Sequence, residues 1–375
     1  MMKAKLGIYI HIPFCWKKCN YCDFISFSKM ELADQYLIAL INEIKASKYK
    51  DYIIDTIYFG GGTPSAIPSE YVRKIFIALQ ESFDLSNLNE VSIEVNPGTL
   101  TKEKLEEYFD IGINRVSIGV QSFDSNMLKR LGRIHTKENV YDTIDLIRKA
   151  GFENYSLDLM YGLPEDSLER IVSDLSEAIA LKPKHISIYG LIIEEGTKFE
   201  KDYAEGKLIL PTDEDLLLMR HLINQSLLIA GYKRYEISNY CQPGFESRHN
   251  LIYWHNEDYL GFGLGSTSKI DNCRYRNTQV LEDYIDIGND LAKYDLVEID
   301  DNMAMEDGII LGLRLSKGLD LIDFATRYNI DIREKYREAI SELEQLKLIS
   351  LEDDHLRLTE NGFDVANYCM VKFLS

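Results

Sequence analysis

No stretch of 18 or more consecutive apolar residues occurs in the 375-residue chain, so a membrane-crossing helix is not expected. The apolar run from Leu6 to Ile12 is too short for a signal-peptide core, and no small-residue cleavage site follows it; a cytoplasmic protein is the expectation. Positive charge is scarce. Against 61 Asp and Glu stand 42 Lys and Arg, a net charge of −19 that repels nucleic acid and anionic lipid, so no nucleic-acid partner is expected. No low-complexity segment or short internal repeat is present. The glycine-rich stretch Gly60-Gly61-Gly62-Thr63-Pro64 lacks the Gly-Lys-Ser/Thr of a phosphate loop and the G-x-G-x-x-G spacing of a dinucleotide fold.

What is present is a regular alternation. Short β-rich runs fall at 7–12, 56–59, 91–95, 115–120, 155–160 and 185–189. Helix-like stretches fall at 31–47, 69–82, 101–110, 137–150 and 167–181. Repeated βα units form a parallel sheet with right-handed crossovers. Six units do not close an eight-stranded barrel, which leaves an open doubly wound sheet or a partial barrel. In either, ligands sit at the carboxyl ends of the strands. Residues 196–300 are less regular, with a helix expected at 213–230 and a glycine-rich loop at Gly261–Gly265. Residues 301–375 read as a small α+β domain. Helices at 303–313, 320–328 and 333–346 and a hairpin at 348–359 resemble a winged helix, whose acidic balance speaks for packing or partner contact over DNA.

Six cysteines occur, and three of them, Cys15, Cys19 and Cys22, are packed into eight residues after the first strand. In a reducing compartment such a group binds metal more readily than it forms disulfides. The C-x3-C-x2-C spacing lets three thiolates wrap a [4Fe–4S] cluster with one iron left open. Structural zinc would need a fourth ligand, for which His11, Asp23 and Cys241 are candidates. Residues 1–30 carry five lysines and a single acid, Asp23, a local positive patch suited to an anionic ligand. The other chemistry-bearing residues also fall at strand ends: the glycine loop, Glu94, Gln121 and Asp158. Carboxylates and amides there can accept the hydroxyl protons of a ribose, and Arg133 can grip a carboxylate in bidentate fashion. Outside the βα array, His249-Asn250-Leu251-Ile252-Tyr253-Trp254 sets an imidazole among aromatic side chains. Histidine is a haem axial ligand and aromatics suit a flat macrocycle, though a plain structural role is the other reading.

The cysteine spacing at this place in a βα array resembles the radical S-adenosylmethionine (SAM) superfamily. HIPFC at 11–15, YFGGGTPS at 58–65, EVNPGT at 94–99, GVQSFD at 119–124, LGRIH at 131–135, DLMYGLP at 158–164 and HNLIYW at 249–254 are similar to the haem-chaperone branch, HemW, related to oxygen-independent coproporphyrinogen III dehydrogenase, HemN. The resemblance implies an α/β fold. It consists of a partial (β/α)6 TIM-like barrel of radical SAM type over residues 1–195, a barrel extension with the haem motif over 196–300, and the C-terminal domain over 301–375. It implies a [4Fe–4S] cluster on Cys15, Cys19 and Cys22, whose open iron chelates SAM. It also implies SAM contacts from Tyr9, Tyr21, Gly61, Gly62, Thr63, Pro64, Glu94, Gln121, Arg133 and Asp158. It assigns haem to His249, Asn250, Tyr253 and Trp254, with His249 on the iron, and makes a haem-acceptor protein, such as a membrane respiratory enzyme, the partner. A homodimer and a peripheral position at the membrane remain open. The catalytic relatives continue the cluster motif to a fourth cysteine, where this chain has Phe24, and they extend further before the cluster, where only 14 residues precede Cys15 here. Haem carriage is therefore the expectation, and a radical SAM enzyme acting on a tetrapyrrole the alternative.

Overall fold

The computed structural model describes residues 5–287 and 294–374. Six βα units alternate as expected. They run β1 (Lys5–Ile12), α1 (Ala33–Ala46), β2 (Ile53–Gly61), α2 (Ser69–Ser82), β3 (Glu90–Val95), α3 (Lys102–Asp110), β4 (Arg115–Gln121), α4 (Ser125–Leu131), α5 (Lys137–Lys149), β5 (Tyr155–Tyr161), α6 (Leu168–Ala180) and β6 (His185–Gly190). Then come α7 (Lys198–Ala204), α8 (Asp213–Ile229), β7 (Lys233–Glu236), β8 (Asn239–Cys241), α9 (Arg248–Trp254), β9 (Tyr259–Phe262), β10 (Thr267–Ile270), β11 (Cys273–Arg276), α10 (Leu281–Ile287) and β12 (Tyr294–Glu298). One sheet joins them in the order β12-β11-β10-β9-β1-β2-β3-β4-β5-β6-β8-β7. Its end strands do not pair with each other, so the wall curves without closing: a partial barrel.

The strands divide their residues by a period of two. In β1, Leu6, Ile8, Ile10 and Ile12 are buried in the core shared with the helices, while Tyr9 and His11 lie on the other face. In β4, Val116, Ile118 and Val120 pack outward and Arg115, Ser117, Gly119 and Gln121 face the concave interior. The same split recurs in β5 and β6, which place Ser156, Asp158, His185 and Ser187 on the inner face. A closed (β/α)8 barrel fills its axis with branched apolar side chains. Here the inner face is polar and encloses a cavity.

Two elements depart from the sequence reading. Gly261, expected in a glycine-rich loop, lies in β9, a seventh parallel strand paired with β1 from Gly7↔Tyr259 to Ile10↔Phe262. A Cβ at Gly261 would stand 2.3 Å from the Thr267 carbonyl oxygen, so glycine is there for the close return of β10. The helix expected at 333–346 is two, α13 (Ile332–Lys335) and α14 (Arg337–Gln345) in chain order after α11 (Asp301–Leu313) and α12 (Leu321–Tyr328). Tyr336, with φ −112°, separates them, and its ring packs edge-on against Phe373. The rest of this region comprises β13 (Leu319–Asp320), β14 (Ile349–Glu352), β15 (His355–Leu358), α15 (Glu360–Asp364) and α16 (Ala366–Val371). The antiparallel order β13-β15-β14 and a separate core around Ile309, Phe324, Leu343 and Leu356 make a winged-helix-like C-terminal domain. It meets the barrel through Arg234, whose guanidinium holds Glu360 at 2.8 Å, and through Asn256, which donates to the Ala304 carbonyl.

A helix of seven residues, α9, closes the amino-terminal end of the barrel. Glu90, at the start of β3, accepts the backbone N–H groups of Arg248 and His249 at 3.0 and 3.2 Å. Removing a buried acceptor leaves both donors unsatisfied, a loss of about 1–3 kcal/mol. Glu90→Ala is expected to lower the urea midpoint accordingly; an unchanged midpoint would mean that α9 is held by packing alone. A second buried carboxylate, Glu43 on α1, accepts from the Gly263 N–H, Asn277 and the Tyr284 hydroxyl, and burial pushes it up to about 7 from the usual 4.5. A raised carboxyl contributes its stability in full below about 4.5 and loses it as pH rises through about 7. Stability should therefore fall between about pH 5 and pH 8, and Glu43→Gln should flatten that fall in urea unfolding measured across the range.

Candidate functional site

A cavity of about 360 Å3 opens at the carboxyl ends of the parallel strands, and Cys15, Cys19 and Cys22 line it. Their loop is a closed excursion from β1. The Cys15 N–H donates to the Phe27 carbonyl at 3.0 Å, and the Phe27 N–H returns to Pro13 at 2.7 Å. His11 supports it from below: Nε2 donates to the Ile25 carbonyl at 2.8 Å, so Nδ1 accepts from Tyr9. The middle of the loop hangs on the end of α4, where Asn20 bonds the Leu131 carbonyl through its N–H and the Arg130 carbonyl through its side chain. That short helix, capped by Asp124, was not readable as an element, although LGRIH marked its end.

Burial raises the Cys15 thiol and pushes Cys22 up to about 11. A bound cation displaces such protons, since the thiolate is the ligand. Among the described residues, no three His, Cys, Asp or Glu side chains converge on a single ion. A cubane does not ask for that convergence, because each cysteine holds a different iron; three thiols spread round one cavity fit it.

The glycine turn at the end of β2 forms the adjoining wall. Gly61 has φ +111°, and a Cβ on Gly62 would stand 2.9 Å from the Phe14 backbone. The turn is sewn to β1 by Gly62 N–H to Ile12 and Thr63 N–H to Phe14, at 2.9 and 2.8 Å. From Thr63 a polar chain crosses the cavity wall. Thr63 Oγ1 lies 3.3 Å from Cys15 Sγ and accepts from Asn96, whose Oδ1 accepts from Arg133 at 2.7 Å; Arg133 also approaches Cys19 Sγ at 3.6 Å. Arg133 thus stands beside the cysteines, where an anionic ligand group would meet it.

The strand ends complete the site. Glu94 accepts from the Tyr58 hydroxyl and the Gly61 N–H, and burial pushes it up to about 7. Asp158, raised by burial, is served by Ser117 and Ser156. Gln121 takes φ +62°, and its buried Oε1 has no hydrogen-bond partner in the protein. Tyr21 lines the same cavity. Tyr9 and Pro64 do not: Tyr9 stacks behind Tyr58 at 6.1 Å, and Pro64 is buried in the turn after the glycines. Of the N-terminal lysines, Lys17 and Lys18 reach the cavity, while Lys3 lies outside the described residues.

Several wall residues escaped the sequence reading. Tyr58, Arg115, His185 and Tyr189 all face the cavity, and the signal for each was its inward place in the period of two. His185 is bonded through Nε2 to Tyr235 at 2.9 Å and leaves a buried Nδ1 unpaired.

The His249–Trp254 segment is α9, and its four singled-out residues part company. His249 is fully enclosed: Nδ1 bonds Thr56 Oγ1 at 2.7 Å, Nε2 bonds the Tyr253 hydroxyl at 2.8 Å, and the ring stacks on Tyr58 at 5.2 Å. Burial takes it down to about 3, so the imidazole is neutral. With both nitrogens engaged, the ring has no lone pair directed into open space in this packing. Asn250 alone lines the barrel cavity. Tyr253 packs edge-on against Tyr259 at 4.7 Å. Trp254 looks the other way, toward the C-terminal domain, under the Arg314 guanidinium at 4.3 Å.

Comparison with known proteins agrees with this architecture. The Radical SAM superfamily profile matches residues 9–178, and that of the HemN C-terminal domain matches residues 299–365. Heme chaperone HemW of Lactococcus lactis is 35% identical over 375 residues, 100% of this chain and 98% of that protein. Heme chaperone HemW of Bacillus subtilis is 35% identical over 98% of each, and that of Escherichia coli 39% identical over 71% of this chain and 70% of its own length. Among solved structures, the coproporphyrinogen III oxidase HemN of Escherichia coli, a radical SAM enzyme, superposes with a TM-score of 0.85. It covers 99% of this chain and 90% of its own at 23% identity, which speaks to the fold. A partial barrel with a cysteine-lined mouth, a winged-helix-like C-terminal domain and identity that runs the length of the chain place this protein in the HemW family of heme chaperones, within the radical SAM superfamily.

Proposed function

We propose that the protein binds haem and passes it to an acceptor protein, with a [4Fe–4S] cluster on Cys15, Cys19 and Cys22 and SAM beside it. The observation that carries this reading is the full-length similarity to heme chaperones. Residues 1–195 would hold the cluster and SAM, 196–300 would extend the barrel and carry the haem motif of His249, Asn250, Tyr253 and Trp254, and 301–375 would face partners. When bound, the cluster would supply an open iron for the amino and carboxylate groups of SAM and an electron able to cleave its carbon–sulfur bond.

The chain's own residues divide the binding work. Arg133 faces the carboxylate. Gly61, Gly62 and Thr63 bring backbone close to the amino group, Gln121 and Asp158 accept ribose hydroxyls, and Glu94, near half-protonated at neutral pH, can donate or accept. The unpartnered Gln121 Oε1 is the clearest mark of a ligand here. The second reading, a radical SAM enzyme acting on a tetrapyrrole, is favoured by the same complete wall. Formation of 5′-deoxyadenosine with a decarboxylated porphyrinogen would establish it. Among the described residues no helix is long and apolar enough to cross a membrane; a membrane respiratory enzyme as acceptor, and a homodimer that forms or parts with cluster binding, belong to the proposal.

Anaerobic haem titration of the cluster-reconstituted protein, followed by the Soret band, is expected to saturate near one haem per chain; absence of saturation would remove the carrier reading. Serine at Cys15, Cys19 or Cys22 should bring iron and sulfide to background while the far-ultraviolet circular dichroism stays native. Retention of both elements would refute the ligand assignment. Gln121→Ala should weaken SAM binding by about tenfold in calorimetry and leave the urea midpoint unchanged or higher, since it deletes an acceptor that has no partner in the protein. Unaltered SAM affinity would take Gln121 out of the site.

A further inference from the structure

The floor of the barrel cavity is built of different chemistry from its mouth. The groups set against SAM above, among them Gly61, Glu94 and Gln121, lie at the carboxyl ends of their strands. Arg115 and His185 line the same cavity, but they are the first residues of β4 and β6. From Arg115 to Gln121 the strand rises about 20 Å. The floor is therefore a separate place, and nothing in the SAM wall uses its side chains.

Arg115 is buried, and its charge is unanswered. Among the described residues its guanidinium makes hydrogen bonds from Nη1 alone, to Asn154 Oδ1 and to the Phe245 carbonyl, each at 3.4 Å. Both acceptors are neutral. They hold the side chain at the floor and leave unspent Nε and Nη2, the parallel fork that grips a carboxylate. Among the described residues no carboxylate forms an ion pair with it. Asp158 feels its charge but takes hydrogen bonds from Ser117, Ser156 and Ser187. A buried ion with no opposite charge is costly to keep. His185, only 1% exposed, supplies a further donor. Its Nε2 lies 2.9 Å from the Tyr235 hydroxyl, which also accepts the Ser247 N–H at 3.3 Å. That hydroxyl completes its bonding by giving its own proton to Nε2. Burial and the Arg115 charge keep the ring neutral, so its one proton sits on Nδ1. Nδ1 is buried and has no partner.

Three unspent donors and one uncompensated cation, facing a cavity, call for a single anion that can accept in bidentate fashion. We propose that the floor of the barrel binds a small organic carboxylate, held by the Nε–Nη2 fork of Arg115 and the Nδ1–H of His185. The molecule enters carboxylate first, and the rest of it rises toward Tyr58 and Glu94 in the middle of the cavity. A phosphate monoester could use the same donors, but it would set nearly two negative charges beneath Asp158 and Glu94, where a carboxylate sets one. Tyr235 is a positioning residue, since its hydroxyl decides which nitrogen of His185 carries the proton. The site needs neither haem nor the cluster for its recognition, so it stands apart from the carrier reading.

The test is calorimetric titration of the full chain with sodium butyrate, against sodium chloride at equal ionic strength, for the wild type, Arg115→Met, His185→Phe and Arg133→Met. The expected result is saturable butyrate binding by the wild type, at least about tenfold weaker in Arg115→Met and weaker by a smaller factor in His185→Phe. Should Arg115→Met fail to fold, His185→Phe at a native urea midpoint decides: weakened binding supports the floor site and unchanged binding overturns it. Absence of saturable binding by the wild type would overturn it as well. So would binding weakened by Arg133→Met and not by Arg115→Met, which would put the carboxylate at the mouth beside the cysteines.

Discussion

A parallel sheet ordinarily buries both faces in hydrocarbon, and this one does not. Its outer face is Val, Ile and Leu under the helices; its inner face is Tyr58, Glu94, Arg115, Asp158 and His185. Such a wall keeps a polar hollow at its centre only if its lower end is sealed by something that can answer those groups with hydrogen bonds. The helix Arg248–Trp254 does so. Its first two N–H groups go to Glu90, its imidazole joins Thr56 to Tyr253, and its Ile252 fills the space beside Gly7. The polar hollow above it is closed on its lower side by that helix.

The cysteine loop is positioned from three directions, by β1 through His11, by the glycine turn through the backbone of Phe14, and by α4 through Asn20. No single element holds it, so the three thiols are fixed from three separate parts of the barrel. The Arg133–Asn96–Thr63–Cys15 chain extends the same logic to the ligand side, since it ties the cation nearest the cysteines to the end of β3. Cluster loop and ligand wall are therefore one hydrogen-bonded unit.

Helix α9 also links two cavities of different character. Asn250 looks into the barrel and Trp254 into the cleft beside the C-terminal domain, at opposite ends of a seven-residue helix. The C-terminal domain has its own core and touches the barrel through polar pairs such as Arg234 with Glu360, so the cleft is walled by two bodies with separate hydrophobic interiors.

Much of the fold was legible because period-two and helical apolar patterns report local burial. All six expected strands lie within the observed ones, and the C-x3-C-x2-C group, Glu94, Gln121, Arg133 and Asp158 do meet in one cavity. The sequence alone determined which residues sit at strand ends, which three thiols share a loop and that the chain is a βα array, since these follow from spacing along the backbone. Tertiary structure decided the rest. Gly261 belongs to a strand because β1 offers it an unpaired edge, and α4 matters because Asn20, more than a hundred residues away, leans on its end. His249, which a linear motif presents as an available imidazole, is spent on Thr56 and Tyr253. Whether a ring nitrogen is free depends on partners brought together only when the barrel forms.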